Sequence, residues 1–124
     1  MISVLIVDDH ALIRKTLRTL LQREQDIAIV GEAAGGDEAV RQVAALQPDV
    51  VVMDIYMPGV DGLEATRSIR SQFPETQVIL ISMYDTSEVG EALRTSGAAA
   101  FVHKQQIAAQ LVPMLRRTSN GLIS

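Results

Sequence analysis

A chain of 124 residues, 48% of them apolar, has the size of one domain and enough hydrophobic material for a single core. Its net charge of -4 and pI near 5.0 exclude a surface built to neutralise nucleic-acid phosphates, and the lack of cysteine excludes disulfides and thiolate metal sites. No apolar run reaches the roughly 18 residues of a membrane span, and the N-terminus lacks the basic start of a signal peptide, so a cytoplasmic protein without membrane contact is expected.

The first strand is expected over residues 3 to 7 (SVLIV), where consecutive β-branched and apolar side chains fit a strand buried on both faces of a parallel sheet. It runs directly into Asp8 and Asp9. Next, Leu12, Ile13, Leu17, Leu20 and Leu21 fall on one helical face, with Arg14, Lys15 and Arg18 on the other. Residues 27 to 33 are a weaker strand candidate. A helix follows over about 37 to 46, with Asp37 and Glu38 at the positive end of its dipole. The third strand, 49 to 53 (DVVVM), ends at Asp54. Asp61 followed by Glu64 resembles a capping box that opens a helix near 62 to 72. The fourth strand, 78 to 81 (VILI), ends at Ser82, and a second such pair, Asp85 and Glu88, opens a helix near 87 to 95 that Gly97 closes. Residues 99 to 103 are another weaker strand, leading into His103 and Lys104, and a last helix begins near Gln105. Pro113 falls inside that helix, where it removes a hydrogen bond and costs about 3 kcal/mol relative to alanine; a kink or break is expected near Val112.

Five strands alternating with five helices indicate an α/β domain with a central parallel sheet, and binding sites in such sheets lie beyond the carboxyl ends of the strands. Taken singly, the polar groups at those ends have plain structural roles. Asp9 would be a helix N-cap, Asp54 would open an Asx turn before Pro58 and Gly59, and Lys104 would be a solvated charge. Taken together these roles do poorly, because Asp8, Asp9 and Asp54 converge where the first and third strands lie side by side. At about 4 Å and an effective dielectric near 20, each carboxylate pair repels by roughly 4 kcal/mol, so the cluster requires a cation or a shifted pKa. Carboxylate oxygens with no His or Cys near them suit a hard ion, magnesium above all, and Lys104 supplies a second positive charge. With the Ser82 hydroxyl, this set is what phosphoryl transfer to aspartate requires. Asp54 is the natural acceptor, alone at its strand end and followed by the turn residues Met57, Pro58 and Gly59.

The segments VLIVDDH, VVMDIYMPGVDGLEA, ILISMYD and GAAAFVHK resemble the four marks of response-regulator receiver domains, in the right order and over essentially the whole chain. The resemblance implies a flavodoxin-like, doubly wound five-stranded parallel sheet in the order 2-1-3-4-5 with five helices. The domain would cover residues 1 to 117, and residues 118 to 124 (TSNGLIS) would begin a linker. The resemblance further implies that Asp54 is the phosphoacceptor and that Asp8, Asp9, Asp54 and the backbone carbonyl of Tyr56 bind magnesium. It gives Ser82 and Lys104 contacts to the phosphoryl group. Phe101 matches an aromatic switch that turns inward as Ser82 is drawn toward the phosphate; the competing role for Phe101 is an ordinary core aromatic.

ILISMYD, with Ser and Met where many receivers carry Thr and Ala, is most similar to the subgroup attached to LuxR/NarL-type helix-turn-helix transcription factors. The implied partners are a histidine kinase, or a small phosphodonor, and a second copy of the chain on phosphorylation. DNA would be reached only through a C-terminal domain that this segment lacks. Since phosphorylation and hydrolysis act on the domain itself, the chain is not expected to be an enzyme.

Some positions depart from the pattern. Ala100 replaces a usual glycine, and Gln105 and Gln106 replace helix-capping residues. The two tyrosines, Tyr56 and Tyr84, each lie two residues beyond a site residue, either by coincidence on an exposed rim or as a gate that restricts water's approach to an acyl phosphate. Three rivals remain. A magnesium-dependent phosphohydrolase with an aspartate nucleophile would place an acid where this chain has Tyr56, and a flavin carrier would need a phosphate loop after the first strand. A receiver-like module that binds partners without phosphorylation fits poorly with a complete set of site residues.

Overall fold

The computed structural model describes residues 1–83 and 90–119. Its strands β1 (Ile2–Val7), β2 (Ile27–Ala33), β3 (Val50–Asp54), β4 (Gln77–Ser82) and β5 (Ala100–His103) pair in parallel as one sheet. The order is β2-β1-β3-β4-β5, as expected. Helices α1 (Ala11–Gln22), α2 (Gly36–Leu46), α3 (Gly62–Gln72) and α4 (Gly90–Thr95) lie in the four crossovers, and α5 (Ile107–Ser119) follows the last strand. Both weaker strand candidates are strands, and each occupies an edge of the sheet, where burial is less complete and the apolar signal is diluted.

Successive side chains of a strand point to opposite faces, so the apolar runs split between two cores. Val4, Ile6, Val50, Val52, Ile79, Ile81 and Val102 pack on one face against Leu17 and Leu21 of α1 and Ile107, Leu111 and Leu115 of α5. Leu5, Val7, Val51, Met53, Val78 and Leu80 pack on the other against Ala39 and Val43 of α2 and Ala65 and Ile69 of α3. This two-sided burial is why β1, β3 and β4 read as unbroken hydrophobic runs.

The caps follow local chemistry where side chains can reach. Asp61 accepts the Glu64 N–H at 2.9 Å and so opens α3. Gly97, beyond the end of α4, has φ +92, a backbone conformation that favours glycine. The Asp85 and Glu88 pair lies outside the described residues. A short 3-10 turn, Lys104–Gln106, precedes α5, and His103 Nδ1 accepts the Gln105 N–H at 3.2 Å, a cap that compensates for the two glutamines.

Of the kink or break expected near Val112, the break is not there: α5 is continuous from Ile107 to Ser119. Proline in a helix frees the carbonyl four residues earlier, here that of Ala109, and Ala109 and Pro113 both lie on the exposed face, where water can take the lost donor's place. The helix also runs two residues past the expected boundary at 117 and buries Thr118. Arg116 fastens it at the end of the sheet opposite the strand carboxyl termini, bonding Glu24 at 2.6 Å and Asp26 at 2.9 Å.

Candidate functional site

Val7 of β1 lies opposite Met53 of β3, so Asp8 and Asp54 leave the sheet side by side. Both are buried, Asp8 completely and Asp54 with 4% of its surface exposed. From the end of β5, Lys104 reaches back to them; its Nζ lies 2.8 Å from Asp8 Oδ2 and 3.5 Å from Asp54 Oδ1. With 7% of its side chain exposed, Lys104 is no solvated strand-end charge.

Burial is the largest influence on Asp54 and raises its pKa from 3.8 to about 6; the Asp8 carboxylate adds to the rise, and Lys104 opposes it. One ammonium therefore faces three carboxyl groups, which leaves the Asp54 anion poorly compensated until a further cation arrives.

Asp9 does not cap α1. The N-cap is His10, whose side chain makes no capping hydrogen bond. Its backbone N–H donates to Asp8 Oδ1 at 2.9 Å, and its ring Nδ1 lies 3.1 Å from Asp8 Oδ1 and 3.2 Å from Asp9 Oδ1. The expectation of an acid cluster with no histidine near it is corrected. The signal was adjacency in VDDH, but the direction of the ring depends on how the chain turns into α1. Arg14 steadies that turn, donating to the Asp8 carbonyl at 2.6 Å and to Glu32 at 3.2 Å.

One side-chain atom each from Asp8, Asp9, His10 and Asp54 can be chosen so that all lie within 4.8 Å of one another. Asp9 Oδ1 is a buried atom with no hydrogen-bond partner among the described residues. A buried anionic oxygen without a donor is costly, and a divalent cation would satisfy it. The residues present fit such an ion.

The remaining expected residues surround this centre. Ser82 is fully buried at the end of β4, one position beyond Ile81, which stands opposite Asp54. Tyr56 is 38% exposed and, with Asp54, His10, Leu12, Met83 and Lys104, lines a cavity of about 350 Å³. Phe101, opposite Leu80, is partly buried against the core on the α2 and α3 side. Tyr84 lies outside the described residues.

Sequence reasoning also missed Gly62. A Cβ there would sit 2.1 Å from the Asp54 carbonyl oxygen, so the first residue of α3 must be glycine for the helix to approach the acceptor's backbone. Its N–H donates to the Ile55 carbonyl at 2.7 Å. Gly62→Ala is expected to destabilise the chain by about 2 kcal/mol or more, since backbone cannot yield as a side-chain tip can. Urea unfolding checks this; an unchanged midpoint would show that α3 can slide away at little cost.

A doubly wound sheet with an acid cluster and a buried lysine at its carboxyl edge is the architecture of a receiver. Residues 4–116 match the family model of the response regulator receiver domain, and the chain belongs to that family. It is 35% identical over 121 residues to the transcriptional regulatory protein LiaR of Bacillus subtilis, a match covering 98% of this chain and 57% of that protein. The signal receiver domain of the response regulator NarL from Mycobacterium tuberculosis superposes with a TM-score of 0.91 at 32% identity, over 97% of each chain. A LuxR-family two-component response regulator from an Aurantimonas species gives 0.90 at 34% identity, over 96% of this chain and 85% of that one. These likenesses support the LuxR/NarL-associated subgroup read from ILISMYD. The chain spans little more than half the length of the curated relatives it matches.

Proposed function

We propose that Asp54 accepts a phosphoryl group from the phosphohistidine of a histidine kinase, and that the resulting acyl phosphate is the signal. The observation that carries this is the buried Lys104 ammonium held between carboxylates from two strands, 2.8 Å from Asp8 and 3.5 Å from Asp54. An Asp54 carboxylate oxygen attacks phosphorus in line, a P–O bond forms as the donor's P–N bond breaks, and the imidazole leaves with the electron pair. Lys104 balances charge on the phosphoryl oxygens, and the Ser82 hydroxyl donates to one of them. Asp8, Asp9, Asp54 and the Tyr56 backbone carbonyl would hold magnesium, whose charge neutralises the same oxygens when it is bound.

The output follows from the same groups. Ser82 moving toward the phosphate frees the space into which Phe101 turns, and the surface of α4, β5 and α5 changes partners, including a second copy of the chain. The relative named as a transcriptional regulatory protein supports a DNA-binding output in a longer protein. The domain acts on itself, with no turnover of a separate substrate.

Incubation with magnesium and phosphoramidate or acetyl phosphate, followed by intact-mass measurement, tests the reading. A gain of one phosphate that Asp54→Ala abolishes is expected; no gain with either donor would favour a module that works without phosphorylation. Tyr56 lines the cavity onto which Asp54 opens, which supports a gating role for its ring. Tyr56→Asn is expected to shorten the phosphate's lifetime several-fold, and equal lifetimes would remove the gating role.

A further inference from the structure

We infer that His10 is a fourth side-chain ligand of the acceptor site's metal and tilts the site toward borderline first-row cations such as Mn2+ and Ni2+. The inference rests on the proposal that the acids hold a divalent ion, and adds a nitrogen donor to a set of oxygens.

Three observations carry it. First, an N-cap side chain ordinarily turns toward the free N–H groups of its helix, whereas the His10 ring makes no cap bond and turns back onto the acids. Second, Nδ1 lies almost equally far from two carboxylate oxygens, 3.1 Å from Asp8 Oδ1 and 3.2 Å from Asp9 Oδ1. A single N–H directs one hydrogen bond, and the Asp9 oxygen lacks one among the described residues. In an octahedron with bonds of about 2.1 to 2.2 Å, adjacent ligand atoms lie about 3.0 to 3.1 Å apart, so these separations are close to the edges that such a polyhedron would have. Third, the His10 side chain is 66% exposed, so it can adjust to an ion without disturbing the core.

The chemistry then sets the preference. Magnesium takes oxygen ligands almost alone, whereas imidazole strengthens binding of Mn2+ and, more so, Ni2+. Removing the ring should leave magnesium affinity nearly untouched and weaken the softer ions. The backbone N–H that holds Asp8 survives the change to alanine.

The test uses the full chain without a histidine tag. Three-pulse electron spin-echo modulation of the Mn2+-loaded chain should show a directly coordinated 14N that His10→Ala loses and His103→Gln retains, His103 being the other histidine. By calorimetry, His10→Ala should weaken Ni2+ tenfold or more and magnesium less than twofold. An absent nitrogen signal, or equal losses for both ions, would overturn the ligand role while leaving the acid site intact. If the native chain bound neither ion, the metal site itself would fail and His10 with it.

Discussion

Lys104→Met should remove about 3 kcal/mol of stability from the metal-free chain at neutral pH, the usual cost of leaving one partner of a buried ion pair uncompensated. The methionine fills the space of the aliphatic stem, so what is lost is charge. Asp8 feels it most: its Oδ2 receives the Lys104 ammonium at 2.8 Å, against 3.5 Å for Asp54, and it is wholly buried. Magnesium should return about 1.4 kcal/mol of the loss for every tenfold by which the variant binds it more tightly than the native chain, which the ion stabilises too. The variant should also bind magnesium more tightly than the native chain, since the competing cation is gone. Phosphoryl uptake should persist, slowed by roughly tenfold or more, because Asp54 remains while one charge on the phosphoryl oxygens is unanswered. Urea unfolding with chelator and with magnesium checks the first part. An equal loss in both conditions would mean that packing, not charge, is what Lys104 contributes.

Asp54→Asn should act in the opposite direction and stabilise the metal-free chain above pH 7 by about 2 to 3 kcal/mol. In the folded chain Asp54 titrates near pH 6, against 3.8 when unfolded, mainly because burial penalises its anion. Between those values the folded chain keeps a proton that the unfolded chain has released, so stability falls as pH rises through the window and is lowest, in this respect, above it. Asparagine has no proton to lose. In this respect the difference between the two proteins should be smallest near pH 3, below the unfolded value, and grow up to about pH 7. Magnesium should reverse the order at neutral pH, because the ion favours the carboxylate and competes with its proton. Thermal melts over that pH range, with and without magnesium, would read this directly. A constant difference at all pH values would mean that the Asp54 carboxyl is as well solvated as in the unfolded chain.

Most of the architecture was legible from the chain because burial on both faces of a central strand writes itself as a continuous apolar run. VLIV, VVVM and VILI needed no partner to be recognised, and the acids and hydroxyl that end them had to share one edge of a parallel sheet. Pro113 misled for a physical reason. The cost of a helical proline depends on whether the freed Ala109 carbonyl meets water, which a propensity does not record. His10 misled likewise, since the sequence places it beside two acids without saying which way its ring turns.

The order of elements, the identity of the acidic triad and the family resemblance came from the sequence by itself, because each is a matter of residue type and spacing along the chain. Tertiary structure alone decided that Lys104 lies nearer Asp8 than Asp54, that the Asp54 anion is penalised, and that Gly62 abuts the acceptor's carbonyl. Those facts depend on distances of a few ångströms between segments remote in sequence. Electrostatic energy and steric overlap both vary steeply over such distances, and no local pattern encodes them.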